Sequence, residues 1–385
     1  MKKIYIDGLA LVEGHFSGVG QYILGILQGI DQLVEEGKYT GKSVPEVIVI
    51  IPYDSLNRFM SFGFRHIKYM RFPIRFRYMA ALWHRGWLPP IDLWCGKGNY
   101  IFTRFVDMPL LFSKSSLIIY DVSFELYKEF SEEKNVRFLA KFVRSSIKRS
   151  EKIFTISHSV ANETKTIFNL PSARIAMAYP ATNPLIFYRR SGLEIQDIKE
   201  KYEINNDYIL ALSNLEPRKN LNCLVDAYCS LPKHIRDQYA LLLVGVNGWK
   251  TAELFNKIVD KVEQGYNIIR PSEYVTDADK PAIMSGAKML VYPSHYEGFG
   301  MPPLEALACG TPVICADNSS LPEAVGNAAR LVRSNDTEGL KIAIEEYLSN
   351  YEEVSRIVMV EGPKQARKFS WVESARVYYE WAGKS

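Results

Sequence analysis

The sequence predicts an α/β protein built from two doubly wound domains, and three observations lead to this prediction. Short apolar segments of strand character alternate with segments of helical periodicity along the whole chain. The length of 385 residues exceeds what one hydrophobic core usually supports. The halves also differ in charge, because residues 1–190 hold 26 Lys and Arg against 16 Asp and Glu, whereas the rest hold 21 against 27. Two domains with different partners are therefore expected.

The predicted elements alternate between strand and helix in each half. In the first half, strands are predicted at 3–7, 46–51, 117–120, 152–157 and 174–178, and helices after Gly20, over 132–150 and after Ser159. Pro, Asn, Arg and Gly together at 180–193 indicate a linker. In the second half, strands are predicted at 208–212, 241–245, 268–269, 289–292, 312–315 and 329–332, and helices at 220–231, after Gly248, and at 276–286, 302–309, 336–347, 352–367 and 370–382. This alternation is typical of parallel sheets.

The most informative stretch is residues 295–310, HYEGFGMPPLEALACG, which follows the apolar strand at 289–292. Pro302 and Pro303 begin a helix, where a missing N–H does no harm. The backbone N–H groups of the preceding glycine loop, from Gly298 to Met301, would point at an anion, and the helix dipole adds partial positive charge. A phosphate site is therefore predicted at this loop.

Two carboxylates, Glu297 and Glu305, frame this predicted phosphate site, with seven residues between them. A carboxylate repels phosphate, so each is expected to bind hydroxyl groups on either side of it. A sugar nucleotide presents groups in that order, as sugar, diphosphate and ribose. The alternative is an ordinary βα loop with a capping glutamate and a second glutamate favoured by the helix dipole.

Adjacent cations, Arg218 and Lys219, follow the strand at 208–212 within the motif SNLEPRKN. A guanidinium fork and an ammonium point charge suit a diphosphate. The alternative is a basic helix N-terminus, which the macrodipole disfavours. Diphosphate binding is the preferred interpretation.

The first half contains a second glycine turn, with Gly18 and Gly20 between a strand and an amphipathic helix. Ligand contact and close helix–strand packing both explain this turn. Asp121 follows the strand at 117–120, where ligand sites of open parallel sheets lie. His15 and His158 are placed on loops and are expected to contact sugar or acceptor, or to be structural.

Residues 58–85 form a basic segment with seven Arg or Lys, two His and no acid, interleaved with aromatic residues. Three interpretations remain open: a lipid-facing segment, a nucleic-acid patch, and a strand and helix with a solvated basic face. The first is preferred, and nucleic acid is not expected as a partner.

Several classes are excluded or disfavoured by the sequence. No apolar run reaches about 18 residues, the length that a membrane span needs, and the N-terminal residues are interpreted as a strand and not a signal peptide. Five scattered cysteines indicate reduced thiols without a zinc site. Asp277 and Asp279 spell D-x-D, but helix capping is preferred over a metal role. The glycine clusters lack the dinucleotide spacing, so a nicotinamide cofactor is not expected.

The chain resembles the family-4 retaining glycosyltransferases, which have the GT-B fold. The resemblance lies in SNLEPRKN, in VYPSHYEGFGMPPLEALACGTPVICADNSSLPEAVGNAARLV and in FSGVGQYI. SSLPEAVGNAA and EPRKN are in addition similar to bacterial mannosyltransferases of polysaccharide assembly. The resemblance implies two Rossmann-like domains facing across a cleft, 1–187 and 188–368, with residues 369–385 crossing back as a helix to the first.

The resemblance also implies roles for individual residues. Catalytic roles are implied for Arg218, Lys219, Glu297, Tyr120 and Asp121. Donor-binding roles are implied for Gly18, Gly20, Asn214, Tyr274, Val275, Gly298, Phe299, Gly300, Met301 and Glu305. Many members carry His-Asp where this chain has Tyr120-Asp121, and that His contacts the donor sugar. The departure leaves Tyr120, Asp121 and His158 as candidates for this contact.

The expected function is transfer of mannose from GDP-mannose, with retention, onto a glycan or polyprenyl-linked acceptor in cell-surface polysaccharide assembly. The two cations and the helix N-terminus would stabilise the leaving diphosphate, so neither a metal nor a cofactor is expected. The expected location is the cytoplasm, with contact to an anionic membrane through 58–85. The alternatives are a UDP-sugar-dependent transferase, an epimerase or phosphorylase of the same fold, and a catalytically degenerate scaffold.

Overall fold

A computed structural model describes residues 2–12, 17–37, 45–74, 78, 82, 87 and 89–384. The chain divides into two compact units. The first unit comprises Met1–Lys128, Glu133–Pro180 and Ser370–Ser385, and the second unit comprises Glu129–Glu132 and Ala181–Phe369. The sequence placed the boundary at 187/188, whereas this division falls at 180/181.

The first unit contains a seven-stranded parallel sheet in the order β3-β2-β1-β4-β5-β6-β7. The strands are β1 (Lys3–Asp7), β2 (Glu46–Pro52), β3 (Lys68–Phe72), β4 (Asn99–Phe102), β5 (Lys114–Ile119), β6 (Lys152–Thr155) and β7 (Ile175–Met177). Among the described residues up to 180, the helices include α1 (Leu9–Val12), α2 (Gly18–Glu35), α3 (Leu56–Met60), α4 (Asp92–Cys95), α5 (Ser123–Leu126), α6 (Glu133–Arg149) and α7 (His158–Phe168).

The second unit contains a six-stranded parallel sheet in the order β10-β9-β8-β11-β12-β13. Its strands are β8 (Asp207–Leu212), β9 (Tyr239–Val244), β10 (Ile268–Ile269), β11 (Met289–Tyr292), β12 (Val313–Ala316) and β13 (Arg330–Val332). Its helices are α8 (Gly192–Lys201), α9 (Leu221–Cys229), α10 (Lys233–Gln238), α11 (Ala252–Glu263), α12 (Lys280–Gly286), α13 (Met301–Ala308), α14 (Leu321–Val325), α15 (Thr337–Ser349) and α16 (Tyr351–Ala366). The predicted fold class is confirmed, since both sheets follow the Rossmann strand order.

The last helix, α17 (Trp371–Lys384), belongs to the first unit and packs along α2. The contact is close because α2 carries glycines where the helices meet. A Cβ at Gly25 would lie 2.3 Å from the Trp371 ring, and a Cβ at Gly29 would lie 2.3 Å from the Trp371 carbonyl oxygen. The expected return of the C-terminal helix to the first domain is therefore confirmed.

Local sequence explains several element ends, and two predictions need correction. Ser157 caps α7, because its Oγ accepts a hydrogen bond from the Val160 N–H at 3.1 Å. The predicted linker at 180–193 already contains the start of α8, where Ser191 and Glu194 form a capping box. The helix predicted at 276–286 begins only at Lys280 and has no side-chain cap. The Asp279 carboxylate instead binds Lys201, Tyr202 and Thr276.

The basic segment at 58–85 is described to residue 74 and at 78 and 82. Its described part includes the end of α3 and the edge strand β3, which the sequence analysis left open. Lys68 on β3 forms an ion pair of 2.5 Å with Glu46 on β2. Within the described ranges, no helix has the length and hydropathy of a membrane span.

Candidate active site

The candidate site lies at the carboxyl ends of β8 and β11 in the second unit. These strands are neighbours, although the chain visits β9 and β10 between them. The strand order reverses at this point, and in open α/β sheets ligands bind in the crevice that this reversal creates. The segments after both strands, SNLEPRKN and SHYEGFG, are therefore brought together by the topology.

Four charged side chains meet in this crevice, and we call them the charge cluster: Glu216, Arg218, Lys219 and Glu297. The Lys219 Nζ donates to Glu297 Oε1 at 2.7 Å, and the Arg218 Nη1 donates to Glu297 Oε2 at 3.2 Å. The Arg218 Nη2 also donates to Glu216 Oε1 at 2.8 Å. Both carboxylates and Lys219 are buried. Two cations are thus balanced by two carboxylates.

The charge cluster fixes the protonation of Glu297. Burial alone would raise the pKa of its carboxyl group, but the charges of Lys219 and Arg218 lower that pKa to about 2. Glu297 is therefore a carboxylate at neutral pH.

Sequence reasoning did not assign roles to several residues that hold this site. The buried Tyr292 hydroxyl lies 3.0 Å from Lys219 Nζ. Ser319 Oγ accepts from the Glu297 N–H at 3.0 Å, and the Ser320 hydroxyl donates to the Glu297 carbonyl at 2.8 Å. The signal for Ser319 and Ser320 was present in the motif SSLPEA, and that for Glu216 in EPRKN.

The glycine loop after Glu297 leads directly into α13. Gly300 has a φ of +109°, and a Cβ there would lie 2.7 Å from Leu321 Cδ2, so glycine is required. Among the residues that the structure describes, the N–H groups of Gly298, Gly300 and Met301 have no hydrogen-bond partner. Pro302 and Pro303 contribute no N–H groups. Together with the helix dipole, these three donors are suited to an anion, and we call residues 298–301 the anion-binding loop.

Glu305 lies on α13 and is buried. Burial raises the pKa of its carboxyl to about 7, although the nearby Lys280 charge opposes this shift. Lys280 itself binds Asp277 at 2.5 Å. Glu305 therefore gains or loses its proton near neutral pH, whereas Glu297 stays ionised there.

Four further residues that are predicted to contact the donor lie in loops of the second unit. Asn214 is exposed in the loop after β8. Tyr274 is 64% exposed, whereas the neighbouring Val275 is buried. Phe299 is buried and packs edge-to-face on Phe369 at 5.1 Å between centroids. Its side chain therefore supports the loop.

The predicted D-x-D pair at Asp277 and Asp279 is used for ion pairs and hydrogen bonds with neighbouring side chains. Within the described ranges, no group of three or more His, Cys, Asp or Glu side chains could hold a metal ion.

The predicted site residues of the first unit lie on different elements of that unit. Gly18 and Gly20 form the first turn of α2, which Ser17 caps through the Gly20 N–H. Asp121 accepts hydrogen bonds from the Ser123 backbone and hydroxyl at 2.9 and 2.7 Å. His158 is exposed at the start of α7 and packs on Tyr179. His15 lies outside the described residues.

Tyr120 is buried between the rings of Tyr22 and Phe105, each 5.5 Å away between centroids. Its hydroxyl has no hydrogen-bond partner among the described residues. Nearby, at the carboxyl ends of β1 and β4, the buried Asp7 carboxylate accepts from Thr103 Oγ1 at 3.1 Å. Burial raises the pKa of Asp7. Sequence reasoning missed Asp7 and Thr103.

Comparison with known proteins extends these observations. Residues 194–359 match the family model "Glycosyl transferases group 1". O-antigen chain mannosyltransferase B of Escherichia coli is 33% identical over 265 residues, covering 69% of this chain and 68% of that protein. Serotype-specific mannosyltransferase WbdA of Escherichia coli is 30% identical over 243 residues, 61% of this chain but 29% of that longer protein.

Solved structures with the same fold are more distant in sequence. HepE of Anabaena, crystallised with UDP and glucose, matches 99% of both chains with a TM-score of 0.72 and 16% identity. WaaG, a glycosyltransferase involved in lipopolysaccharide biosynthesis, matches 99% of this chain and 98% of its own with a TM-score of 0.67 and 14% identity. The fold is therefore of the GT-B type, as predicted.

Proposed function

The chain belongs to the group 1 glycosyl transferases and is a hexosyltransferase, and from this premise we propose that it moves mannose from GDP-mannose onto a glycan or polyprenyl-linked acceptor. The proposed transfer retains the anomeric configuration and serves cell-surface polysaccharide assembly on the cytoplasmic side of the membrane. The mannosyl donor is supported by the relatives described above, an O-antigen chain mannosyltransferase and a serotype-specific mannosyltransferase.

The observation that carries the proposal is the charge cluster beside the anion-binding loop. Arg218 and Lys219 face the crevice at the carboxyl ends of β8 and β11, and the unpartnered N–H groups of Gly298, Gly300 and Met301 lie in the loop that follows Glu297. A nucleoside diphosphate presents several anionic oxygens to such donors. Lys219 has three N–H donors and uses two of them, on Glu297 and Tyr292. The third is directed to the diphosphate.

Glu297 acts in this proposal as a hydroxyl acceptor for the transferred sugar. Its carboxylate remains ionised because Lys219 and Arg218 hold its pKa near 2. The two cations donate one hydrogen bond to each of its oxygens, and the hydroxyls of the transferred sugar are proposed to donate to the same carboxylate. Arg218 and Lys219 therefore orient the Glu297 carboxylate, and in the same proposal they bind the leaving nucleoside diphosphate.

Departure of the nucleoside diphosphate builds negative charge on the phosphate and positive charge on the sugar. The cations and the N-terminus of α13 stabilise the first of these charges without reorganisation, and the Glu297 carboxylate lies beside the second. Because protein side chains supply this stabilisation, the proposal includes neither a metal nor a cofactor. Glu305, on α13, is proposed to bind the ribose hydroxyls.

The donor experiment uses the full chain with GDP-mannose, UDP-glucose and other nucleotide sugars, and measures nucleotide release in the presence of cell-surface glycan extracts. Arg218→Ala and Glu297→Ala are expected to lose activity by about a hundredfold or more, as for loss of a major electrostatic group. Lys233→Ala, which removes an exposed ion pair with Asp237, is the matched control. Turnover that survives both site substitutions would refute the proposal.

A second candidate, a UDP-sugar donor, is favoured by one observation, the complex of HepE with UDP and glucose. Release of UDP but not GDP in the same assay would select it. Calorimetric titration with GDP and UDP separates both candidates from a degenerate scaffold, which binds neither. Contact with an anionic membrane through 58–85 is proposed as part of the same function.

A further inference from the structure

The first unit exposes four large apolar side chains at one place, and we call them the apolar platform: Leu93, Trp94, Leu111 and Phe112. Each is between 58 and 61% exposed. Large apolar side chains exposed singly are common, but a contiguous group usually marks an interaction site. The platform therefore needs a partner.

The buried carboxylate of Asp92 holds the platform together. Asp92 starts α4, so Leu93 and Trp94 directly follow it in the chain. Its carboxylate accepts the backbone N–H groups of Leu111 at 2.9 Å and Phe112 at 2.7 Å. A hydrogen bond of 3.0 Å from the Ile91 N–H to the Pro109 carbonyl adds a second link. The four side chains are thus presented from a clamped pair of segments.

The platform lies at the amino-terminal end of the sheet. Its two segments lead into β4 and β5, so they lie at the end opposite to Asp7 and Thr103, which follow the carboxyl ends of β1 and β4. A partner bound to the platform leaves the carboxyl edge, where ligands of such sheets bind, uncovered.

The same edge is basic. Because the strands are parallel, their first residues lie along one edge, and four of the seven strands begin with lysine: Lys3, Lys68, Lys114 and Lys152. Together with Lys97 these cations outnumber the acids beside them, Glu46, Glu151 and Glu380. Residues 58–114 contain only two acids, and both, Asp92 and Asp107, are buried.

We propose that the apolar platform inserts into the surface of an anionic lipid bilayer, with the lysine edge around it binding the lipid headgroups. Aromatic and leucine side chains partition into the membrane interface, and basic residues near the surface add attraction to anionic lipid. A second copy of the chain fits less well, because a symmetric contact would bring two lysine edges together. This inference rests on the proposed function and deepens it, since it adds Trp94 and Phe112 to the membrane contact proposed for 58–85.

The test is co-sedimentation of the full chain with vesicles of phosphatidylcholine containing phosphatidylglycerol, and with phosphatidylcholine alone. Binding is expected only to the anionic vesicles and is expected to weaken with salt. Trp94→Ser combined with Phe112→Ser is expected to reduce partitioning by about tenfold or more, as buried apolar area is lost. Leu193→Ser with Ile357→Ser, at exposed apolar positions of the second unit, is the matched control and is expected to bind like the wild type.

GDP titration of the same variants keeps the two proposals separate, because the platform substitutions are expected to leave GDP binding unchanged. The membrane proposal is overturned if the wild type does not bind anionic vesicles at low salt, or if both pairs of substitutions have equal effects. It is also overturned if the platform variant binds vesicles normally but changes from dimer to monomer in light scattering, which would assign the platform to self-association.

Discussion

The two sheets of this protein share one strand order but carry different chemistry at the point where that order reverses. In the second unit, the ends of β8 and β11 bring together the charge cluster and a loop of unpartnered N–H groups. In the first unit, the ends of β1 and β4 carry a buried carboxyl, Asp7, with Thr103, and the rings of Tyr22 and Tyr120. The shared topology provides a crevice in each unit, and the side chains decide its use.

The difference indicates a division of tasks between the units. A crevice with two cations and a helix N-terminus suits an anion, whereas hydroxyls, aromatic rings and one carboxyl suit a neutral polar ligand. The overall charge does not predict this division, because the second half of the chain is the acidic half. We therefore expect the local placement of Arg218 and Lys219 to matter more than net charge for the proposed binding of a diphosphate.

The largest expected effect comes from breaking the charge cluster. Lys219→Met removes the partner at 2.7 Å from the buried Glu297 and leaves the two carboxylates of the charge cluster with Arg218 as their one cation. Because one buried charge is then uncompensated, the substitution is expected to abolish transfer and to destabilise the fold by about 3–5 kcal/mol. Denaturant unfolding and turnover measure the two effects.

The control for this experiment is the double variant Lys219→Met with Glu297→Gln. It is expected to recover most of the stability, because no buried charge is left unpaired, without recovering transfer. Recovery of neither, or loss of activity without loss of stability in the single variant, would contradict the pairing seen in the structure.

The next effect concerns a buried carboxyl in each unit, Glu305 and Asp7. The pKa of Glu305 is about 7 in the folded chain against 4.5 when unperturbed, so the folded state holds its proton more tightly. This group therefore contributes full stability below about pH 4.5, and the contribution is lost as the pH rises to about 7, by on the order of 3 kcal/mol. Glu305→Gln should remove this part of the slope of stability against pH.

Asp7→Asn is the matched substitution in the first unit. The free energy of unfolding of both variants is measured by denaturant between pH 5 and 8. The comparison shows which of the two carboxyls sets the slope of stability against pH. A wild-type slope that Glu305→Gln leaves unchanged would show that Glu305 is ionised throughout.

A smaller effect is expected from the seam between α2 and α17. Gly29→Ala would place a Cβ 2.3 Å from the Trp371 carbonyl oxygen, so α17 must shift, with a destabilisation of about 1–3 kcal/mol. Hydrogen exchange over 371–384 should accelerate, while the affinity of the second unit for GDP stays within about twofold of the wild-type value. Gly18→Ala, where a Cβ meets no atom within 4 Å, is the control. Equal hydrogen-exchange rates in both variants would show that the contact between Gly29 and Trp371 does not determine the stability of α17.

The smallest effect is expected at the crevice of the first unit. Thr103→Val removes a hydrogen bond of 3.1 Å to Asp7 and should lower stability by about 1 kcal/mol. Nucleotide binding should not change, because Thr103 belongs to the first unit. A large loss of GDP affinity in this variant, measured by calorimetry, would contradict the division of tasks between the two crevices.

Features that depend on neighbours in the chain were predictable from the sequence. The loop and helix after β11 follow from glycine and proline at fixed positions, and the α/β alternation follows from apolar periodicity. The strand β4 was missed and β3 was left as one alternative, because NYIF and KYMRF lie among basic, aromatic and small residues without a clear period. The start of α8 was missed because Pro and Gly nearby outweighed the capping box of Ser191 and Glu194, which the sequence already displays.

The sequence by itself determined the fold class and named Arg218, Lys219 and Glu297 as the central residues of the site. Only the tertiary structure decided that they bind one another and that Glu216 and Tyr292 complete the cluster. Lys219 is 78 positions from Glu297 and 73 from Tyr292. Such contacts depend on which strands become neighbours in the sheet. That order is set by the packing of the whole unit, and no local pattern of residues contains it.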